Sequence, residues 1–142
     1  MPTLELNSYI GVGSLKFSMR EDEILPILGK PTSIQNNWLN EKTFTYNSFE
    51  LVFSLKDEKL VEISFQNNLH FIVNGLSIFD DMAALEKLLA QEENPLEYVG
   101  ILFLPSLGLT LSGFHTEDDK VATAICKGRL DSMLPKFKAF RK

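Results

Sequence analysis

Two stretches of this 142-residue sequence share one order of residue types. "GSLKFSMREDEILPILG" begins at Gly13, and "GLSIFDDMAALEKLLA" begins at Gly75. Each has a glycine, an apolar pair, a polar residue suited to a helix start, a methionine and a leucine-rich helical pattern. A similarity at a period of about 60 residues is typical of duplicated units. We therefore expect a single domain, residues 1–142, with internal repeats at residues 10–66 and 71–126.

The stretches after each helical pattern favour antiparallel strands. "FELVFSL" and "KLVEISF" flank the turn "KDE", and "LGLTLSGF" and "KVATAIC" flank the turn "HTEDDK". Ser18 and Glu21 have capping-box spacing, Gly29 is expected to end the first helix, and Asp80 is expected to cap the second. The predicted fold is α+β: two tandem helix-plus-antiparallel-strand repeats, with helices packed on antiparallel sheet, and a short C-terminal helix in "LDSMLPKFKAF".

The glycine-spaced stretch from Gly11 to Pro31 has the look of a phosphate-binding loop, but its spacing excludes one. A dinucleotide fingerprint needs a third glycine where Lys16 stands, and it needs a buried strand before it. The P-loop pattern needs glycine at Ile24 and serine or threonine at Pro31. Gly11 and Gly13 are therefore expected to allow a turn or close packing.

Charge is divided unevenly between the body of the chain and its end. The formal net charge is −5, which argues against general nucleic-acid binding. The C-terminal basic segment, residues 127–142, holds six basic residues and one acid, Asp131. This segment either folds back on the acidic body or reaches a phosphate or an acidic partner, and the sequence leaves both interpretations open.

Nothing in the composition points to a membrane or to secretion. No apolar run approaches the roughly 20 residues of a membrane helix, and the N-terminus has no basic start followed by an apolar core. The single cysteine, Cys126, excludes an internal disulfide. We therefore expect a cytoplasmic protein that binds neither membrane nor nucleic acid.

The residues with catalytic potential form no known motif. His70 and His115 lie far apart in the sequence, and no nucleophile signature surrounds Cys126. His115 precedes carboxylates that could hold a metal, but the first repeat has "KDEK" at the matching turn without a histidine. An acidic hairpin turn explains this stretch better, so we expect a protein that is not an enzyme and has no metal or cofactor.

Residues 10–126 resemble a known type of small bacterial protein. "GVGSLKFSM" with "ILPILGKP", followed by a hairpin ending in "KLVEISF", is similar to the helix-plus-strands repeat of β-lactamase inhibitor proteins and small outer-membrane assembly lipoproteins. It also resembles immunity proteins encoded beside polymorphic toxins. The best matches are Leu15, Met19 and Leu28–Pro31. The resemblance implies a binding protein without an active site.

The function expected from these observations is that of a cytoplasmic immunity protein, which neutralises a polymorphic or contact-dependent toxin by direct binding. Tryptophan and tyrosine are favoured at the energetic centres of interfaces, and an acidic body would suit a basic toxin domain. The candidate partner-binding residues are Trp38, Tyr46, Glu50, Asp57, Glu58, Tyr98, Glu117, Asp118 and Asp119. The alternative is a small-ligand or metal-binding regulatory domain, with its site between sheet and helices.

Overall fold

The computed structural model describes residues 4–37, 40–66, 70–80, 82–114 and 120–140, and these residues form fourteen strands and two α-helices. The first seven strands are β1 Leu4–Asn7, β2 Gly11–Val12, β3 Leu15–Lys16, β4 Ser33–Asn36, β5 Glu41–Thr45, β6 Phe49–Ser54 and β7 Leu60–Gln66. The other seven are β8 Phe71–Val73, β9 Leu76–Ser77, β10 Leu96–Tyr98, β11 Ile101–Leu104, β12 Leu109–Ser112, β13 Val121–Ile125 and β14 Lys138–Ala139. The helices are α1 Glu21–Leu28 and α2 Met82–Gln91, and a 3₁₀ turn spans Leu134–Lys136.

The strands form two sheets. The large sheet has nine antiparallel strands in the order β14-β10-β11-β12-β13-β7-β6-β5-β4. It consists of two four-stranded meanders, β4–β7 and β10–β13, which join where β7 pairs with β13. The small sheet has five strands in the order β3-β2-β1-β8-β9, and β1 pairs with β8 in parallel.

The predicted α+β fold of helix-plus-hairpin repeats is wrong, because the chain is mostly β. The helices have 8 and 10 residues, and each leads into a four-stranded meander rather than a hairpin. The segments before the two helices form a second sheet with each other, through the β1–β8 pair. That pair joins residues far apart in the chain, and local residue patterns carry no signal for such pairing.

The predicted ends of the helices are partly wrong as well. Helix α1 is capped at Arg20, whose backbone N–H donates to Glu23 Oε1 at 3.3 Å, and not at Ser18. Its predicted end is confirmed: Gly29 has φ +78° and donates its N–H to the Leu25 carbonyl. The predicted C-terminal helix is a single 3₁₀ turn at Leu134–Lys136, followed by strand β14.

A chain of phenylalanine rings joins the two sheets through the core. Phe71 of β8 lies with its ring centroid 5.0 Å from that of Phe65 on β7 and 6.3 Å from that of Phe79. The chain continues to Phe49 at 6.3 Å from Phe65 and to Phe114 at 5.6 Å from Phe79. Phe71 has no exposed surface, so the small sheet covers the inner face of the large one through this side chain.

The inner face of the large sheet is a continuous apolar layer. One row of residues in register across six strands is at most 1% exposed: Phe44, Leu51, Ile63, Ala124, Leu109 and Leu104. The next row points to the other face: Thr45, Glu50, Ser64, Thr123, Thr110 and Phe103. The two faces of the large sheet therefore differ in polarity, as in antiparallel sheets that pack on one side only.

Neither described helix could cross a membrane, since both fall short of the length and apolar character that a span requires.

The buried ring of Phe71 predicts a large loss of stability on truncation. Phe71→Ala removes the contact between the sheets and leaves a cavity, so the free energy of unfolding should fall by about 3–5 kcal/mol. Urea denaturation followed by circular dichroism measures this. Ile72→Ala, at the half-buried next position, should cost clearly less, and equal losses in the two variants would contradict the assigned role of Phe71.

Candidate binding surface

The outward face of the large sheet is left partly uncovered by the rest of the described chain. We call its uncovered part the open face: Thr43, Thr45, Glu50, Val52, Ser64, Gln66, Thr110, Ser112, Val121 and Thr123. All ten side chains are exposed or half-exposed. Ser64 and Thr123 also share a hydrogen bond between their hydroxyls at 2.9 Å. Most side chains of the open face are therefore short, and one hydrogen bond links its strands β7 and β13 through side chains.

The charged residues at the outward strand positions are all acidic, and Arg129 of the C-terminal segment bonds to two of them. The outward positions of the described strands carry three carboxylates, Glu41, Glu50 and Glu62, and no lysine or arginine. Lys42 lies between two of these outward positions but points to the inner face, where its Nζ is 3.1 Å from Glu21 of α1. Such a face attracts a basic surface.

The described part of the C-terminal basic segment covers the outward face around Phe103 and β10. Strand β14 pairs with β10, and the Phe137 ring packs 5.6 Å from Tyr98 and 5.9 Å from Phe103. Residues 127–140 thus fold back on the body. Tyr98, predicted as a partner anchor, is half-buried and holds this segment in place.

An ion cluster fixes the start of the same segment, and the sequence analysis did not predict it. The guanidinium of Arg129 bonds to Glu41 through Nη1 and to Glu62 Oε1 through Nε at 3.1 Å. The three side chains are 13–24% exposed. Glu41 and Glu62 are 21 residues apart in sequence, and only the register of β5, β6 and β7 brings them together.

The pKa values of the two carboxyl groups in this cluster are shifted in opposite directions. Burial raises the pKa of Glu62, although Arg129 opposes the shift. The hydrogen bond from Arg129 lowers the pKa of Glu41. One guanidinium therefore serves two carboxyl groups.

The predicted anchor Tyr46 lies in the β5–β6 turn and has a structural role. Its hydroxyl donates to the Gly29 carbonyl at 2.9 Å, and its ring stacks on Phe49 with centroids 4.7 Å apart. Burial raises the pKa of Tyr46. The side chain also borders an apolar cleft of about 420 Å³ between α1, the small sheet and the start of β6, with Leu15 and Ile27 on its other walls.

The predicted acids Asp57 and Glu58 lie in the β6–β7 turn, at the opposite end of the sheet from Tyr46. Strand β6 has six residues, which separates the two turns by about 20 Å. Asp57 accepts a hydrogen bond from the Lys59 backbone, and Glu58 lies 3.7 Å from Arg20. Tyr46, Glu50 and the turn with Asp57 and Glu58 therefore do not form one surface, and of these four residues only Glu50 lies on the open face.

The remaining predicted residues lie outside the described part of the chain. These are Trp38, Glu117, Asp118 and Asp119, together with His115.

Two reactive side chains of the described chain are Cys126 and His70. Burial raises the pKa of the Cys126 thiol, which keeps it protonated and weakly nucleophilic. Ser77 and Asp80 both approach His70, but through the same Nδ1 atom, at 3.3 and 3.5 Å, and Ser77 also bonds to Asp80 directly. A catalytic triad needs the serine and the acid on different ring nitrogens. The described residues hold no cluster suited to a metal.

No protein-family model, curated protein or solved structure matches this chain.

The cluster of Arg129, Glu41 and Glu62 predicts how the stability of an Arg129 variant depends on pH. Arg129→Met leaves two carboxylates in a mostly buried place without a cation, so at pH 7 the free energy of unfolding should fall by about 2–4 kcal/mol. The raised pKa of Glu62 favours the folded state only at low pH, and the lowered pKa of Glu41 favours it only above its ordinary 4.5. The deficit of the variant should therefore shrink as the pH falls towards 4.

Urea denaturation across this pH range measures the effect. Lys136→Met removes an exposed cation from the same segment and should leave stability nearly unchanged at every pH. A deficit for Arg129→Met that stayed constant with pH would show that its origin is packing and not charge.

Proposed function

We propose that this chain is a non-catalytic binding protein, an immunity protein that neutralises a bacterial polymorphic or contact-dependent toxin by direct binding. Its partner is a basic toxin domain. The observation that carries the proposal is the open face, which holds the carboxylate of Glu50 and no cation.

Complementary charge supports this choice of partner. The open face carries Glu50 near its middle, and the Arg129 cluster beside it holds two carboxyl groups for one guanidinium. Opposite charges across an interface speed association and disfavour wrong partners. A basic surface, such as that of a domain that acts on nucleic acid, would associate quickly with the open face and would be preferred over acidic partners.

The stiffness of the open face supports a tight complex. Most of its side chains are serine, threonine or valine, which lose little conformational entropy when an interface forms. Each of its strands is hydrogen-bonded on both sides within the sheet. Binding to such a surface needs little reorganisation, and this favours slow release of the toxin.

The proposed place of action is the cytoplasm, where a toxin that has entered the cell would meet its inhibitor. Blocking a toxin needs contact alone, so the proposed function requires no catalytic group.

The cleft beside Tyr46 favours a second candidate function, a small-ligand regulatory domain. Its volume of about 420 Å³ is in the range of small-molecule sites, and its walls are apolar apart from Ser14, Asn47 and the Tyr46 hydroxyl. An apolar molecule recovered from the purified protein and seated between α1 and the small sheet would favour this function.

Charge reversal on the open face tests the first proposal. Glu50→Lys places a cation where the basic partner should dock, and the dissociation constant for the toxin domain encoded beside this gene should rise at least about tenfold. The matched control is Glu86→Lys on the exposed side of α2, which changes the net charge equally and should bind as the unmodified chain does.

Isothermal titration calorimetry and the growth of cells that express the toxin provide the two readouts. Glu50→Lys should keep its melting temperature, since the new cation lies near Glu62. If both variants raised the dissociation constant equally, the change in net charge alone would explain the effect. If cells with Glu50→Lys were fully protected, the interface would lie away from the open face.

A further inference from the structure

The C-terminal basic segment is held on the body by contacts at its surface. None of the described residues from 127 to 140 is buried. Strand β14 pairs with β10 at two residues, and the Phe140 N–H donates to the Pro95 carbonyl at 2.8 Å. The residue before the segment, Cys126, donates its N–H to the Val61 carbonyl on β7. The two meanders are therefore complete at Cys126, and the segment is added to them from outside.

The space beneath this segment is only partly filled. A pocket of about 280 Å³ lies between Leu130 and Leu134 of the segment and Phe103 and Ile125 of the body. Where two surfaces do not touch, the dispersion contacts between them are missing. The free energy that keeps the segment closed should therefore be much smaller than the free energy of unfolding the sheet.

Arg129 connects the segment to the outward face through two carboxyl groups. We call Glu41 and Glu62, which bond to its guanidinium, the cation site. Glu62 pairs with Val52 of the open face across β6 and β7. Glu41 lies two residues before Thr43 of the open face on β5. The cation site is thus continuous with the open face, and a partner docked there reaches it once Arg129 leaves.

The present occupant shows which chemistry the cation site accepts. Arg129 bonds to Glu41 through Nη1 and to Glu62 through Nε. A guanidinium has five N–H donors in a planar fork and can bond to two carboxyl groups at once, whereas a lysine ammonium is a point charge. An arginine of another molecule can form the same bonds, and a basic partner on the open face would bring it close.

We infer that the C-terminal basic segment competes with the basic partner for the outward face: it opens as a unit after Cys126, and an arginine of the partner then takes the place of Arg129 in the cation site. The inference rests on the proposed function for the nature of the partner. Opening also uncovers Tyr98 and Phe103, on which Phe137 packs in the closed state. The closed state lowers the apparent affinity for the partner in proportion to the fraction of open molecules.

Amide hydrogen exchange followed by NMR tests the opening on the unmodified chain alone. The Phe140 N–H bonds to Pro95 within the segment contact, and the Ile125 N–H bonds to the Gly108 carbonyl within the body. The Phe140 amide should exchange at least about a hundredfold faster than the Ile125 amide, because opening of the segment costs less than unfolding.

A hexaarginine peptide tests the competition without the toxin. Phe137→Ser removes the ring contacts of the segment without a change of charge, so the open fraction rises and the dissociation constant for the peptide should fall about tenfold or more. Adding Glu41→Gln to this variant should remove the gain. Ile34→Ser, at an exposed residue of β4, is the control and should bind as the unmodified chain does. Isothermal titration calorimetry measures the binding, and circular dichroism checks that each variant is folded.

The inference is overturned if Phe137→Ser binds hexaarginine no more tightly than the unmodified chain, or if the gain persists with Glu41→Gln. It is also overturned if the Phe140 amide exchanges no faster than the Ile125 amide. The toxin domain separates these results from the proposed function. If it binds the open face equally well in Phe137→Ser and in the unmodified chain, the inference alone fails. If the gain for hexaarginine is observed but the toxin domain does not bind, the proposed function alone fails.

Discussion

The contact between Phe71 and Phe65 is the interaction on which the rest of this structure depends. Phe71 belongs to the small sheet and Phe65 to the large one, and their rings lie 5.0 Å apart in the fully buried core. Five short strands and two short helices could not form an independent core of their own. They are stable because they share one apolar layer with the nine-stranded sheet.

The packing of the small sheet and the helices on one face of the large sheet also determines which of its surfaces stay exposed. Since the small sheet and both helices take the inner face, the outward face of the large sheet remains available to a partner in the described part of the chain. The chain covers one part of the outward face with its C-terminal segment and fixes that segment through Arg129. The open face, which carries Glu50 and no cation, stays uncovered.

Local features of the fold were predictable from the sequence, and long-range ones were not. The end of α1 at Gly29 and the strands flanking "KDE" depend on neighbouring residues, and both appear where expected. The β1–β8 pair joins segments far apart in the chain, and this pair turned an expected helix-on-sheet fold into a two-sheet fold. The predicted C-terminal helix failed because Phe137 packs on the body.

The same distinction applies to the site. Glu50 was predicted and lies on the open face, since its position follows from simple alternation along one strand. Tyr46 and Tyr98 were chosen as aromatic anchors by residue type, yet they bond to Gly29 and pack on Phe137. The Arg129 cluster needs the register of three strands, which no spacing in the sequence reveals.

The central claim of this account is that the open face is the docking surface for a basic toxin domain. Cross-saturation in NMR tests it most directly, with a deuterated chain that carries protonated valine methyl groups and an unlabelled toxin domain. The account predicts that saturation of the toxin attenuates the methyl signals of Val52 and Val121, on the open face, and spares those of Val12 and Val73, in the core. Strong binding without attenuation at Val52 and Val121 would contradict it.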